Sequence, residues 1–581
     1  MLPMASAPKQ PHGKNSHSSS ARPSLAAQAW LLQLDTPLVL SGEGALNGLR
    51  FAVKDNFDVQ GLLTTAGCPG FGYQARTSAV AVQKLLQSGA ALMGKTNLDQ
   101  FACGLSGTRS PWGAVPNAFN PEYVSGGSSS GSAYVVATGQ VDFALGTDTA
   151  GSGRVPAGLN NLVGLKPSKG LVSNTGVVPA AQSLDCVSIF ATGVGMAAQV
   201  LAQLQGYDAQ DPYSRRLSLK SDPFPAEFRF GVPDQLEFFG DELARASFGE
   251  SIRRLESLGG RAINIDFSAL SEAASLLYAS ALLAERYAAI RPFFDDHEAQ
   301  IIEPVRSIIA AGKRYSAADL FAAQQKLARL AQKASSLWVQ IDVLLVPTAP
   351  THYRIENMLA DPIELNRRLG IYTNFVNLLD YAALAVPSSI RADGLPFGIT
   401  LIAPATCDWQ LAELGQRFHL GAAHNGALSQ GATDKPLPAA QAIAGLRPAA
   451  TIRVAVVGAH LSGMPLNSQL LERGAVLVSK TATAPNYRLF ALRESTPPKP
   501  GLLRVGDGQG HCIEVEIWEM PSEHYGSFVA LIASPLGIGV LQLADQGRVQ
   551  GFVCEPQGLH DALDISEYGG WRNYLSAVHK K

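Results

Sequence analysis

Apolar and polar positions follow two different rhythms along this chain, and the rhythm changes more than once. From about residue 25 to 205, short apolar runs alternate with segments of helical period. Residues 48–53 and 90–94 read as buried strands, and residues 79–88 between them place apolar side chains at near-helical spacing. Residues 141–146 read as a further strand. This alternation predicts an α/β domain built on a mixed sheet. Between residues 240 and 340 the period lengthens, and residues 269–290 and 317–338 predict long helices. Residues 343–347 and 395–402 then read as strands that return the chain to the sheet.

Residues 423–450 are dominated by Ala, Gly, Pro and Gln, which predicts a linker. Beyond it, residues 452–457, 474–479, 512–518, 527–532, 539–543 and 551–554 read as strands separated by Gly- and Pro-rich turns. They predict a second, small domain over 451–581, mainly β with a few helices. Residues 1–24 are rich in Ser, Pro, Ala, Lys and His and lack an apolar core with a cleavage site, so they read as a disordered leader.

Composition narrows the function classes. A length of 581 residues with 46% hydrophobic content supports more than one buried core. The 46 basic and 48 acidic residues nearly balance, which argues against a nucleic-acid or anionic-membrane partner. No apolar run reaches the length of a membrane span. Six scattered cysteines without a C-x-x-C pair read as reduced, buried thiols of a cytoplasmic protein. No metal-ligand cluster is visible.

The candidate chemistry lies in two Gly- and Ser-dense loops. Ser125-Gly-Gly-Ser-Ser-Ser-Gly-Ser132 precedes the predicted strand at 141–146, and Gly146-Thr-Asp-Thr-Ala-Gly-Ser-Gly-Arg-Val-Pro156 follows from it. Such loops bring backbone N–H groups and hydroxyls close to a small substrate. Alone they also fit a linker or an anion nest, but no Gly-Lys-Ser/Thr follows as a phosphate loop requires. A nucleophilic serine needs a base, and no histidine occurs between His17 and His297. The base is then a lysine, which acts only when neutral and so must be buried.

Val53-Lys54-Asp55-Asn56, with Ser128 placed 74 residues after Lys54 and Ser152 a further 24 on, resembles the amidase signature family. The resemblance covers roughly residues 25–422 and implies a large mixed, twisted sheet wrapped by helices. It also implies roles. Lys54 takes a proton from Ser128, Ser128 takes one from Ser152, and Ser152 attacks an amide carbonyl. A cis peptide bond precedes Ser128. The backbone N–H groups of Thr149, Ala150, Gly151 and Ser152 form the oxyanion hole, with Asp148 and Arg154 bracing their loop.

Residues 173–180, 183–190 and 276–287 resemble the allophanate-hydrolysing branch of that family. There a tyrosine and an arginine grip the substrate carboxylate, and the matching positions are Tyr278 and Arg286. On one helix a spacing of eight turns two side chains about 80° apart, so both face one pocket. The implied reaction is cleavage of the terminal amide of allophanate, a small anionic amide, and it needs neither a metal nor an organic cofactor. Rival readings are another small-amide amidase, the glutaminase subunit of a tRNA amidotransferase, or an inactive scaffold of the same fold. Residues 454–463 resemble the opening of gamma-glutamylcyclotransferase-like domains. In this branch that appended domain is linked to decarboxylation of N-carboxycarbamate, which singles out His460. The resemblance further implies a homodimer, and association with urea carboxylase or with cyanurate- and biuret-pathway enzymes.

Overall fold

The computed structural model describes residues 25–423, 428–446, 451–493 and 495–578, so the leader expected at 1–24 lies outside the described residues. The chain divides into two compact units, residues 1–446 and 447–581.

The first unit is organised by an eleven-stranded mixed sheet. From one edge its strands are Trp30–Leu38, Ala91–Thr96, Arg50–Lys54, Phe143–Asp148, Cys186–Ala191, Val163–Lys166, Tyr381–Ile390, Pro396–Pro404, Val343–Pro347, Phe228–Pro233 and Gly260–Ile265. Arg50–Lys54 runs parallel to both of its neighbours, with Val53 opposite Lys95 on one side and Leu145 on the other. Successive side chains point to opposite sides, and inner strands such as Phe143–Asp148, Cys186–Ala191 and Val343–Pro347 are buried on both faces, whereas the edge strands Trp30–Leu38 and Gly260–Ile265 are partly exposed. Phe51, Val53, Val343, Leu345, Leu384 and Val386 enter one core, while Ala52, Leu344, Val346, Ala383 and Ala385 face other clusters. Helices pack against these strands, among them Ser130–Ala137, Val194–Leu204 and Asp408–Ala423. The expected sheet wrapped by helices is what forms.

Two expectations change. The long helix read over residues 269–290 is broken. It runs as Ser268–Ala279, a single 3-10 turn Ala281–Leu283, and Ala284–His297. Ser280 makes the break, adopting extended backbone at φ −143° and ψ 177°. Its hydroxyl donates to the Leu276 carbonyl at 2.5 Å and accepts from the Leu282 N–H at 3.3 Å. Serine thus offers the backbone an alternative to the helical ladder. Residues 428–446, inside the stretch read as a linker, pack along the first unit. Asn161 Nδ2 donates to the Ser429 and Gly431 carbonyls at 3.0 and 2.9 Å, and Ile443 is buried. The small residues allow close approach: a Cβ on Gly431 would sit 2.4 Å from the Ala137 carbonyl oxygen.

The second unit holds a five-stranded sheet ordered Val476–Ala482, Glu514–Pro521, Thr451–Val456, Arg548–Cys554, Leu536–Gln542. A three-stranded sheet of Pro500–Arg504, Tyr487–Ala491 and Leu563–Asp564 joins it around one core. Here the strand expected at 527–532 is a correction. Residues Ser522–Val529 form a helix that buries Phe528. A short apolar run does not by itself distinguish the two periods. The cysteines also need one correction: five are buried thiols, but Cys512 is exposed.

Candidate active site

Lys54 is the last residue of a buried central strand, so its side chain emerges at the end of the sheet, shielded from solvent. Its Nζ lies 2.7 Å from Ser128 Oγ and 2.8 Å from Thr147 Oγ1. Among the described residues it forms no ion pair. Burial pulls its pKa from 10.5 to about 7, against the opposing pull of Asp99, Asp185 and Asp148, with Arg286 adding to the lowering. The amine is therefore half neutral near pH 7, as a base requires. Lys95, one strand over, contrasts with it. Its Nζ pairs with Asp55 at 2.8 Å and bonds the Leu63 carbonyl at 2.7 Å, which makes it a structural cation.

Ser128 sits in the loop before the helix Ser130–Ala137, and the Gly127–Ser128 peptide is cis. Ser152 lies in the loop after the strand Phe143–Asp148 and is 2% exposed. Its Oγ donates to the Gly104 carbonyl at 3.4 Å. Among the described residues no hydrogen bond joins Ser152 to Ser128, so the structure holds the Lys54–Ser128 link and leaves Ser152 turned toward Gly104.

The loop before Ser152 is braced from below. Arg154 and Asp148, both fully buried, meet through two bonds of 2.8 and 2.9 Å. Burial works against the Asp148 carboxylate, yet the Arg154 guanidinium holds it below the usual range. Asn377 donates to the Asp148 carbonyl at 2.7 Å and accepts from Arg154 at 3.1 Å. Thr149 Oγ1 donates to Asp185 at 2.5 Å. With its side chains so held, the loop presents the backbone N–H groups of Thr149, Ala150, Gly151 and Ser152. Among the described residues none of these four donates a hydrogen bond within the chain. Buried, unpaired, consecutive N–H groups beside a serine hydroxyl form a site for a developing oxyanion. Gly151 stands at φ +144°, where a Cβ would also meet Thr373 Oγ1 at 2.4 Å.

Tyr278 and Arg286 lie on two helical segments rather than the one helix expected. The turn at Ser280 folds them together all the same. Arg286 Nη2 donates to Tyr278 Oη at 3.4 Å, and the guanidinium carbon is 5.4 Å from the tyrosine ring centroid. Arg286 is 4% exposed, yet its Nε and Nη1 have no hydrogen-bond partner. Among the described residues no carboxylate pairs with it. Glu285 is anchored instead, accepting from the Ser183 N–H and hydroxyl at 2.7 Å each.

Sequence reasoning missed Thr147, which holds the lysine amine, and Gly104, whose carbonyl receives Ser152. Thr147 was legible as a polar residue on the strand that feeds the Ser152 loop. Gly104 carries no such signal.

His460 is in the second unit. Its Nε2 bonds Gln469 Oε1 at 2.9 Å, and its ring stacks on Phe552 at 5.0 Å and meets Phe528 edge-on at 5.3 Å. Burial lowers its pKa, so the imidazole is neutral near pH 7. It lines a small pocket with Gly458, Lys499 and Leu536. Among the described residues no cluster of three His, Cys, Asp or Glu could hold a metal, and no helix is long and apolar enough to cross a membrane.

Similarity to known proteins follows the same division into two units. Residues 18–411 match the amidase family model, and residues 452–576 match the model of the allophanate hydrolase C-terminal domain. Urea amidolyase of Saccharomyces cerevisiae is 44% identical over 547 residues, covering 92% of this chain and 30% of the relative. This chain thus spans about a third of the length of the first curated relatives it matches. A glutamyl-tRNA(Gln) amidotransferase subunit of Natronomonas pharaonis is 33% identical over 65% of this chain and 96% of the relative. Among solved structures, allophanate hydrolase of Kluyveromyces lactis is 42% identical, with a TM-score of 0.72 over 92% of this chain and 89% of that one. With residues 18–411, well over half of the chain, matched by the amidase model, the chain belongs to the amidase family.

Proposed function

We propose that this chain hydrolyses the terminal amide of allophanate by a serine acyl-enzyme mechanism. The observation that carries the reading is Arg286, a buried guanidinium with two donors unpartnered beside Tyr278. Unpaired buried cations are costly, so a pocket that keeps one is built for an anion. Allophanate offers a carboxylate at one end, which the arginine fork and the tyrosine hydroxyl grip, and a primary amide at the other.

Neutral Lys54 accepts the Ser128 proton, Ser128 accepts that of Ser152, and Ser152 Oγ attacks the amide carbon. The carbonyl oxygen, now negative, lies against the N–H groups of Thr149 to Ser152. Collapse returns a proton through Ser128 to the leaving nitrogen, and ammonia departs. Water, activated by the same relay, releases N-carboxycarbamate, which loses carbon dioxide and then a second ammonia. Ser152 must rotate from the Gly104 carbonyl toward Ser128 for the first transfer.

A second assignment concerns the other unit. His460 beside Lys499 forms a small pocket with one neutral imidazole and one cation, suited to N-carboxycarbamate and its decarboxylation. His460→Ala should slow carbon dioxide release while leaving the first ammonia unchanged. The urea amidolyase relative points to urea as the source of the substrate.

Ammonia release from allophanate, with malonamide and glutamine as rivals, tests the main reading. Turnover of allophanate alone, lost in Ser152→Ala, supports it. Preference for glutamine would favour the amidotransferase-like reading instead.

A further inference from the structure

Asp99 is fully buried, and among the described residues it forms no ion pair. Its carboxylate accepts only two backbone N–H groups, from Gly107 at 3.1 Å and Arg109 at 2.9 Å. Its own N–H donates to the Ser128 carbonyl at 3.0 Å, which ties it to the serine loop. Two glycines fit around it. A Cβ on Gly127 would lie 2.2 Å from Asp99 Oδ2, and one on Gly104 would lie 2.4 Å from the same oxygen. Neither glycine has a left-handed φ, so the conformation does not demand glycine there; the carboxylate does. Gly127 precedes Ser128, and Gly104 supplies the carbonyl that Ser152 faces.

We propose that Asp99 is a positioning residue of this site, a buried carboxylate that joins the Ser128 loop to the Gly104 loop and serves as counter-charge to the Lys54 amine. This rests on Lys54 being the base. The charged groups acting on Lys54 are Asp99, Asp185, Asp148 and Arg286, and Asp99 exerts the largest of the charge effects, favouring the ammonium. The others have tasks of their own. Asp148 is paired with Arg154, Asp185 receives Thr149, and Arg286 faces Tyr278. Asp99 alone is spent on the two loops and on the field at Lys54. Without it, burial and Arg286 would drive the amine further toward neutrality, making it a weaker base toward Ser128.

The test is Asp99→Asn, which keeps the shape and removes the charge. The readouts are the pH profile of kcat/KM and the pH profile of Ser152 labelling by a fluorophosphonate. The expected result is an acid limb displaced to lower pH by about one unit, as loss of a nearby opposite charge dictates. A limb at the wild-type pH, whatever the absolute rate, overturns the proposal. Should the variant be too slow to profile, NMR titration of Lys54 in chain labelled with ¹³C-lysine, assigned by Lys54→Met, reads the same displacement. The base assignment is separable: Lys54→Met labelling at the wild-type rate would sink that assignment, whereas an unmoved limb in Asp99→Asn sinks only the role of Asp99.

Discussion

Replacing Arg286 by methionine should make the protein more stable and nearly useless. Methionine keeps most of the stem and removes the planar charge. In the folded chain Arg286 Nε and Nη1 have no partner although the residue is 4% exposed. Each unsatisfied buried donor costs about 1–3 kcal/mol. Against this stand the contact with the Tyr278 ring and one long hydrogen bond, together about 1–2 kcal/mol. The variant should therefore gain about 0–5 kcal/mol, centred on about 2–3 kcal/mol, read as a higher urea midpoint. Binding moves the other way. Two charge-assisted bonds to a carboxylate, at about 1.5–3 kcal/mol each, correspond to a loss in kcat/KM of roughly 10²–10⁴-fold. The loss should fall mainly on KM, because the carboxylate is gripped alike before and during the reaction. The assay is ammonia release from allophanate over a range of concentrations, beside denaturation of the same preparations. A variant that unfolds more easily than wild type and keeps its KM would refute the reasoning and make Arg286 a structural residue.

Lys54 has a folded pKa of about 7 against 10.5 for an ordinary lysine, so between those values the unfolded chain binds the extra proton. Its own contribution to stability should climb with pH across that window by about 1.4 kcal/mol per unit, and Lys54→Met should lower the slope of the urea-titration profile there by about that amount. In wild type, kcat/KM should fall about tenfold per unit as pH drops below about 7. Gly151→Ala, whose Cβ would meet Thr373 Oγ1 at 2.4 Å, should displace the oxyanion loop and cost roughly 10²–10³-fold in kcat with little change in the melting temperature of the second unit. Asp148→Asn leaves the fully buried Arg154 without its counter-charge and should destabilise the first unit by about 3–5 kcal/mol in urea unfolding.

Five of the eleven strands of the large sheet were read from sequence, because their apolar runs are short and continuous, as burial on both faces requires. Phe51-Ala52-Val53 and Val343-Leu344-Leu345-Val346 each feed two cores. The two Gly- and Ser-dense loops stood out by composition, and the structure places Ser128 of the first against Lys54. What escaped reading was decided by contacts distant in sequence or by one side chain. Ser280 ends a helix with its own hydroxyl, and no proline or glycine announces it. Residues 527–532 are apolar enough for either period, and the burial of Phe528 against His460 and Phe552 selects the helix. The strands Tyr487–Ala491 and Pro500–Arg504 carry too little alternation to be read alone. Residues 428–446 look like a tether by composition, yet their smallness is what lets them lie flat on the first unit.

The break at Ser280 has an evolutionary reading. The groups proposed to cleave the bond lie between Lys54 and Ser152, whereas the pair proposed to grip the anion, Tyr278 and Arg286, arrives on a separate segment more than a hundred residues later. That segment is two short helices joined by one turn and fastened by Glu285 to Ser183. Lengthening or shortening the turn would move Arg286 relative to the oxyanion loop without touching a catalytic atom. Chain length of the acid, and even the need for an acid, can thus be selected on one hinge while the cleaving machinery is inherited intact.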